Sequence, residues 1–331
     1  MPSPNSYLNP TPPTLPFTIL DVFTNSPFTG NPLAIVSLPP ATDFAPTQSQ
    51  LQHLAAEFNL SETIFLEHST PEDTQRSVRR ARIFTTAREI LFAGHPTVGA
   101  AVHLLGHGGL DVRDQVRALV PGAGPIPIAL VEGREGYVSA VVPHTYHQHE
   151  KRCPAHRLLA LHSTLSPYVA ENATFPIVSI VHGMTWVLAE LGGLEALAVV
   201  RLGNASANII ADSGVVDSGW EYNAPIGVYL YVRHAEAAEN EGGVEVIRTR
   251  MLIRGIEDPA TGSAASALTG YLAVKEVQEQ GDQRHWKIVQ GVEMGRRSEI
   301  GVRVALERGR LDTIELSGTA VVVSEGRIRA C

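Results

Sequence analysis

Phe92-Ala-Gly-His-Pro-Thr-Val-Gly-Ala-Ala-Val-His-Leu-Leu-Gly106 has a counterpart later in the chain, Ile256-Glu-Asp-Pro-Ala-Thr-Gly-Ser-Ala-Ala-Ser-Ala-Leu-Thr-Gly270. Laid over each other without gaps so that Pro96 meets Pro259, the two are 163 positions apart. His95 then falls on Asp258, Gly99 on Gly262 and Ala101 on Ala264. Residues 96–105 contain no Lys, Arg, Asp or Glu, and neither do residues 259–274. A helix with no polar side is enclosed by other elements. Each stretch therefore reads as a turn, a proline at the first helical position and a buried helix. Proline suits that position because its missing N–H would have had no intrahelical partner.

The first N–H groups of a helix lack intrahelical acceptors, and the helix dipole makes that end positive. His95 and Asp258 stand beside two such ends. Two helices that aim their starts at one place form a site for a carboxylate. Upstream, Arg82-Ile-Phe-Thr-Thr86 and Glu245-Val-Ile-Arg-Thr249 both read as strands running into the turn. A repeat spaced at about half the chain implies duplication of one domain. Spacing and placement carry that inference more than matching letters.

The 331 residues fit about two domains. A composition of 44% hydrophobic and 18% charged residues supplies a core for each half. The formal net charge of −8 argues against nucleic acid and against an anionic membrane as general partners, since both are bound chiefly by basic patches. No apolar run approaches the roughly 18 residues that cross a bilayer, so a soluble, cytoplasmic protein is expected. The two cysteines, Cys153 and Cys331, form no disulfide framework and suit a reducing compartment. Residues 1–16 carry six prolines with no basic or long apolar run, and read as a disordered tail.

Strands are expected at 17–23 and 33–38. Thr47 followed by Gln50 is a capping box, and Leu51, Leu54, Ala55 and Phe58 follow at helical spacing, so a helix covers about 47–58. In Asn59-Leu-Ser-Glu-Thr-Ile-Phe-Leu66, β-prone residues resume directly after Glu62, which places that carboxylate at the mouth of a strand. Further strands are expected near 77–85, 115–120, 126–131 and 137–142. In the second half they are expected near 175–181, 185–190, 207–211, 226–232 and 244–250, with a short helix near 192–198. Four more near 286–291, 300–305, 311–316 and 319–328 finish the chain, and the last one or two are expected to return to the first domain.

Residues 143–156 hold His144, His147, His149, Cys153 and His156. Imidazole and thiol at such spacing can ligate zinc, but the stretch is mixed with Pro, Gln, Glu, Lys and Arg where the halves should join. It reads as an exposed loop or linker, with no metal site expected. The domain limits on this reading are 17–142, a loop or linker at 143–156, and 157–331.

Taken singly, Glu62 reads as a solvated strand-end carboxylate, His95 as a helix-start residue and Asp258 as an N-cap. Together, beside two helix starts, they read as an acid/base cluster. Fixed N–H groups there would stabilise negative charge developing on a carboxylate-bearing substrate as a C–H bond ionises. Neither cysteine lies in a helix-start motif and there is no G-x-S-x-G elbow, so thiol and serine chemistry lose ground. The glycines of Gly106-His-Gly-Gly109 and Gly122-Ala-Gly124 lack dinucleotide or phosphate-loop spacing.

Four blocks in order, Asp21-Val-Phe-Thr with Phe28-Thr-Gly-Asn-Pro-Leu-Ala-Ile-Val36, Asn59-Leu-Ser-Glu62, Phe92-Ala-Gly-His-Pro-Thr-Val-Gly99 and Glu257-Asp-Pro-Ala-Thr-Gly-Ser-Ala264, resemble the PhzF-like phenazine-biosynthesis family from about residue 17 onward. The resemblance implies an α+β fold of the diaminopimelate epimerase type: two pseudo-symmetric domains, each a mixed β-barrel or curved sheet around a central helix, with the active site between them. It implies a cofactor-independent isomerase acting on a small carboxylic acid, and a homodimer. It places the proton-shuttling glutamate at Glu62, makes His95 and Asp258 flanking acid/base groups, and gives Ser61, Gly94, Thr261, Gly262 and Ser263 to substrate binding. The epimerases of this fold carry cysteines at the helix starts. None stands there in this chain, which argues against a two-thiol racemase. Two rival functions stay open: a cofactor-free amino-acid racemase or epimerase, and a non-catalytic binding or interaction protein on the same fold.

Overall fold

The structure, a computed structural model, describes residues 13–107, 116–202, 214–221, 226–233, 244–276 and 282–330. Its first half runs β1 (Thr14–Val22), β2 (Asn31–Ser37), helix Gln48–Phe58, β3 (Thr63–Leu66), β4 (Val78–Phe84), β5 (Glu89–Ile90), helix Gly94–Ala101, β6 (Ala118–Val120), β7 (Ile126–Leu130), β8 (Val138–Val141) and β9 (His147–Pro154). The second half repeats it with β10 (Thr174–Val181), β11 (Met184–Glu190), helix Leu194–Ala198, β12 (Gly227–Arg233), β13 (Glu245–Ile253), β14 (Ile256–Asp258), helix Gly262–Lys275, β15 (Gln283–Gln290), β16 (Ser298–Glu307), β17 (Arg310–Gly318) and β18 (Ala320–Arg329).

The pairings match strand for strand. β2 lies parallel to β3 as β11 does to β12. β4 lies parallel to β6 as β13 does to β15. The neighbours β1–β2, β3–β4 and β6–β7 are antiparallel, and so are β10–β11, β12–β13 and β15–β16. The architecture is α+β, two pseudo-symmetric lobes of mixed sheet. β8 and β17 pair antiparallel and stitch the lobes together.

The ninth strand of each half does not stay with its own lobe. β9 pairs with β10 of the second lobe, and β18 pairs with β1 of the first along its whole length. The stretch expected as an exposed loop or linker at 143–156 is thus largely a strand. His149 and Cys153 face inward on it at 2% exposure each. Their polarity disguised the alternation: His149 is accommodated by hydrogen bonds to Ser179 and to the Asp217 main chain, and burial pushes the Cys153 thiol up to about 11. Residues 14–16, expected in the tail, begin β1 because β18 offers them a partner. Residues 1–12 of that tail and the strand expected near 207–211 lie outside the described residues.

The capping box of the first helix forms: Thr47 Oγ1 accepts from Gln50 N, and Gln50 Oε1 accepts from Thr47 N. The helix ends at Asn59 in the left-handed conformation. Its buried face, Leu51, Leu54 and Ala55, packs in a small cluster with Val36, Phe65 and Phe84. Each such leucine contributes about 1.5–3 kcal/mol by leaving water. A larger core encloses both apolar helices, with Val98, Ala100 and Ala101 from one and Ala264, Ala265, Ala267 and Leu268 from the other. The first packs against β1, β2, β3 and β8, and the second against β10, β11, β15, β16 and β17. Among the described residues no helix is long and apolar enough to cross a membrane.

The helices start elsewhere than the prolines suggest. One begins at Gly94, two residues before Pro96, and the other at Gly262, three residues after Pro259. Their starts are therefore 168 positions apart (262 minus 94), and the gapless overlay at 163 is out of step. The five-position difference is the sum of those two displacements, two residues at one helix and three at the other. With the helix starts superimposed, His95 corresponds to Ser263, and Asp258, four residues before Gly262, corresponds to Ile90. His95 and Asp258 are neighbours in space without being equivalent in the repeat.

Candidate active site

The two core helices meet end to end at their N-termini, Gly94 against Gly262, with Leu316 of β17 packed on both. Only glycine lets two backbones come this close. Neither helix has a side-chain cap: the N-cap positions are Ala93 and Thr261, and neither side chain bonds to the first turn. The first main-chain N–H groups of both helices have no intrahelical acceptor, and two positive dipole ends share one small space. Such a junction suits an anion.

Three ionisable side chains gather there. Glu62, at the mouth of β3, presents Oε2 to Nδ1 of His95 at 3.4 Å. Its side chain keeps 20% exposure, so a small solute can reach it, while His95 is at 5%. Asp258 ends β14, half-buried, and interacts electrostatically with both. Burial pushes the Glu62 carboxyl up, against a lowering hydrogen bond from Ser61. Asp258 is pushed up to about 6 by burial and by the neighbouring Glu62, while His95, Thr261 and Asn31 oppose the shift. Burial holds His95 down to about 4 against the pull of Asp258 and the Pro32 main chain. At neutral pH the imidazole is therefore uncharged and offers one donor and one acceptor. Two carboxyl groups with raised proton affinity beside a neutral imidazole form a set suited to proton transfer.

The other expected residues divide by what their atoms do. Gly94, Gly262 and Ser263 supply the first turns of the two helices, and the hydroxyl of Ser61 bonds to Glu62. The Thr261 hydroxyl is engaged within the protein: it donates to Oδ2 of Asp258 and accepts from Nε2 of Gln290 at 3.0 Å.

Three residues here escaped the sequence reading as functional groups. Asn31 donates to Oδ1 of Asp258 and to the Ala260 carbonyl, both at 2.9 Å. Gln290 donates to the Asp258 carbonyl at 2.7 Å, and Tyr229 O–H donates to Oε1 of Gln290 at 2.9 Å. The available signal was a lone polar residue at the end of an apolar strand, as in Ile288-Val289-Gln290.

Away from this site, the ligand atoms of His147, His149 and Asp217 lie within 4.8 Å of one another. His147 Nε2 meets Asp217 Oδ2 at 2.8 Å. Both nitrogens of His149 are engaged by the protein, Nδ1 accepting from Asp217 N at 3.0 Å and Nε2 meeting Ser179 Oγ at 2.9 Å. These bonds clasp residues 214–221 onto β9 and β10.

Residues 20–326 match the family model described as phenazine biosynthesis-like protein. An uncharacterized isomerase from Mesorhizobium japonicum is 32% identical over 94% of this chain and 98% of its own. The trans-2,3-dihydro-3-hydroxyanthranilate isomerase of Pseudomonas aeruginosa is 30% identical over the same shares of the two chains. Among solved structures, a phenazine biosynthesis protein of the PhzF family from Bacillus anthracis superposes with a TM-score of 0.72 at 22% identity, covering 96% of this chain and 99% of that one. With lobes, strand order and helix junction described, the match over nearly the whole chain has one meaning: this protein is an isomerase of the phenazine biosynthesis-like, or PhzF, family.

Proposed function

We propose that the protein is a cofactor-independent isomerase that moves a proton within one small carboxylic acid, Glu62 taking the proton from carbon and returning it elsewhere on the same molecule. The observation that carries this is the gathering of Glu62, His95 and Asp258 around two helix starts without side-chain caps. The substrate carboxylate lies against the N–H groups of Gly94, Gly262 and Ser263, where charge developing on the carbon acid is stabilised without reorganisation. Proton transfer by a positioned side chain contributes typically about 10²–10⁴-fold, so those fixed dipoles supply much of the remainder. His95 and Asp258 flank the reacting carbon skeleton as proton donor or acceptor.

The test uses trans-2,3-dihydro-3-hydroxyanthranilate, the compound in the name of the Pseudomonas relative, together with a panel of small cyclic carboxylic acids in deuterated water. The expected result is deuterium at carbon and a displaced double bond for at least one acid. Glu62→Gln abolishes the exchange while calorimetry still detects binding of that acid. Exchange at the wild-type rate in Glu62→Gln removes Glu62 from the mechanism. Inversion of a stereocentre with no shift of a double bond marks a racemase instead.

A further inference from the structure

The hydrogen bonds of Gln290 can be arranged in one way only. Its Nε2 lies 2.7 Å from the main-chain oxygen of Asp258, which can only accept, so that end is the NH2 group. Its Oε1 receives the Tyr229 O–H at 2.9 Å and the Thr261 main-chain N–H at 3.3 Å. The second Nε2 hydrogen goes to Oγ1 of Thr261 at 3.0 Å. The Thr261 hydrogen is thereby directed at Oδ2 of Asp258. On the other oxygen Asn31 is settled in the same way. Its Nδ2 must donate to the Ala260 carbonyl at 2.9 Å, which leaves its second hydrogen for Oδ1 of Asp258 at 2.9 Å.

These two amides are buried, at 1% exposure for Asn31 and 0% for Gln290. They come from opposite lobes: Asn31 opens β2 and Gln290 closes β15. Both oxygens of Asp258 thus meet donors whose direction is imposed from behind. Directed donors favour the ionised form of a carboxyl group. Glu62 meets the Ser61 hydroxyl and, at 3.4 Å, Nδ1 of His95. When environments push two interacting carboxyl groups apart in proton affinity, their roles follow.

We propose that Gln290 is a positioning residue which, acting through the Thr261 hydroxyl, makes Asp258 the weaker base of the carboxyl pair and so reserves proton carriage for Glu62. Its part in catalysis rests on the proton-transfer function proposed above, whereas the order in which the pair titrates does not.

The order is measurable in the free protein. With carbon-13 in the side-chain carboxyls of Asp and Glu, the resonances of Asp258 and Glu62 are assigned from the Asp258→Asn and Glu62→Gln variants and followed against pH. Asp258 is expected to ionise first. In Thr261→Val, which keeps the shape and loses the hydroxyl, and in Gln290→Met, the Asp258 midpoint rises by about one unit or more, the size of a lost hydrogen bond to a charged group. Thr261→Ser keeps it in place. A merely structural role would lower the melting temperature and leave the midpoint where it was. Glu62 ionising first in the wild type, or a midpoint unmoved in Thr261→Val and Gln290→Met, overturns the proposal, and the wild-type order decides it if those two variants do not fold. A protein that keeps the order and the shift but exchanges deuterium with none of the acids overturns the proposed function and leaves this assignment standing.

Discussion

A methyl group built on Gly94 would sit 3.1 Å from Cα of Gly262, and one built on Gly262 would sit 3.2 Å from Cα of Gly94. The contact is reciprocal and made by backbone, so neither side can turn aside.

Alanine at either position is expected to destabilise the protein by about 1–3 kcal/mol through overpacking, and to depress exchange by spreading the helix starts. Leu316 Cδ1 would lie 3.0 Å and 2.8 Å from the two added methyls. Leu316→Ala in the same chain does not restore stability, because the backbone contact persists. Thermal unfolding of the single and double variants checks this. Wild-type stability in Gly94→Ala would mean that the two turns can separate freely.

The buried ionisable groups give stability a signed pH dependence. Asp258 has a folded-state pKa of about 6, above its ordinary 3.8. The folded state therefore holds more protons between those values, and this contribution falls as pH rises from about 4 to about 6. His95, held near 4 against an ordinary 6.5, acts in the opposite sense, since the unfolded state binds the extra proton and stability rises with pH over that window. Asp258→Asn removes the falling contribution. Its stability relative to wild type should climb from pH 4 to pH 6 in denaturant titrations. A constant difference would show that Asp258 titrates as an exposed carboxylate does.

Glu257, next to Asp258, forms a bidentate pair with Arg250, both bonds at 2.7 Å, and Arg250 also donates to the carbonyls of Leu197 and Val200. Both side chains are 6% exposed. Glu257→Leu leaves a buried guanidinium without its counter-ion and is expected to cost about 3–5 kcal/mol. The double variant with Arg250→Met should recover part of the loss, because two apolar groups replace a desolvated pair. Denaturant unfolding of the three variants is the measurement, and a double variant no more stable than Glu257→Leu would refute the account.

Truncation after Gly318 removes β18 and bares the edge of β1. An unpaired inner strand invites association, so the shortened chain should be found in the insoluble fraction, whereas full-length protein should not.

Strongly local signals were legible. The capping box at Thr47 and Gln50 placed a helix to within one residue, and residues with no charge at 96–105 and 259–274 marked the two enclosed helices. Glu62, His95 and Asp258, which the fold brings together, stood out as candidates because each abuts a turn before an apolar element. Less legible was whatever depends on partners distant in sequence. The overlay that paired His95 with Asp258 aligned the two prolines, and letters alone do not reveal that one lies inside its helix and the other before it. Asn31 and Gln290 sit on strands 259 positions apart (290 minus 31), and only the folded lobes bring their amides to one carboxyl. His147 to Pro154 carries too many polar side chains to read as a strand until Ser179 and Asp217 are seen to receive them.

The exchange of the ninth strands has a further meaning. Two separate copies of a half-length chain, each lending its final strand to the other, would build the same pair of lobes, but with every group present twice about a two-fold axis. In the single chain the copies have been free to diverge: His95 faces Ser263 across that axis, Ile90 stands where the other half has Asp258, and Ile226 precedes β12 as Glu62 precedes β3. Glu62, His95 and Asp258 have no acidic or basic counterpart in the other half, so the two sides of the proposed site differ, and under the proposed function an asymmetric acid would be held in one orientation.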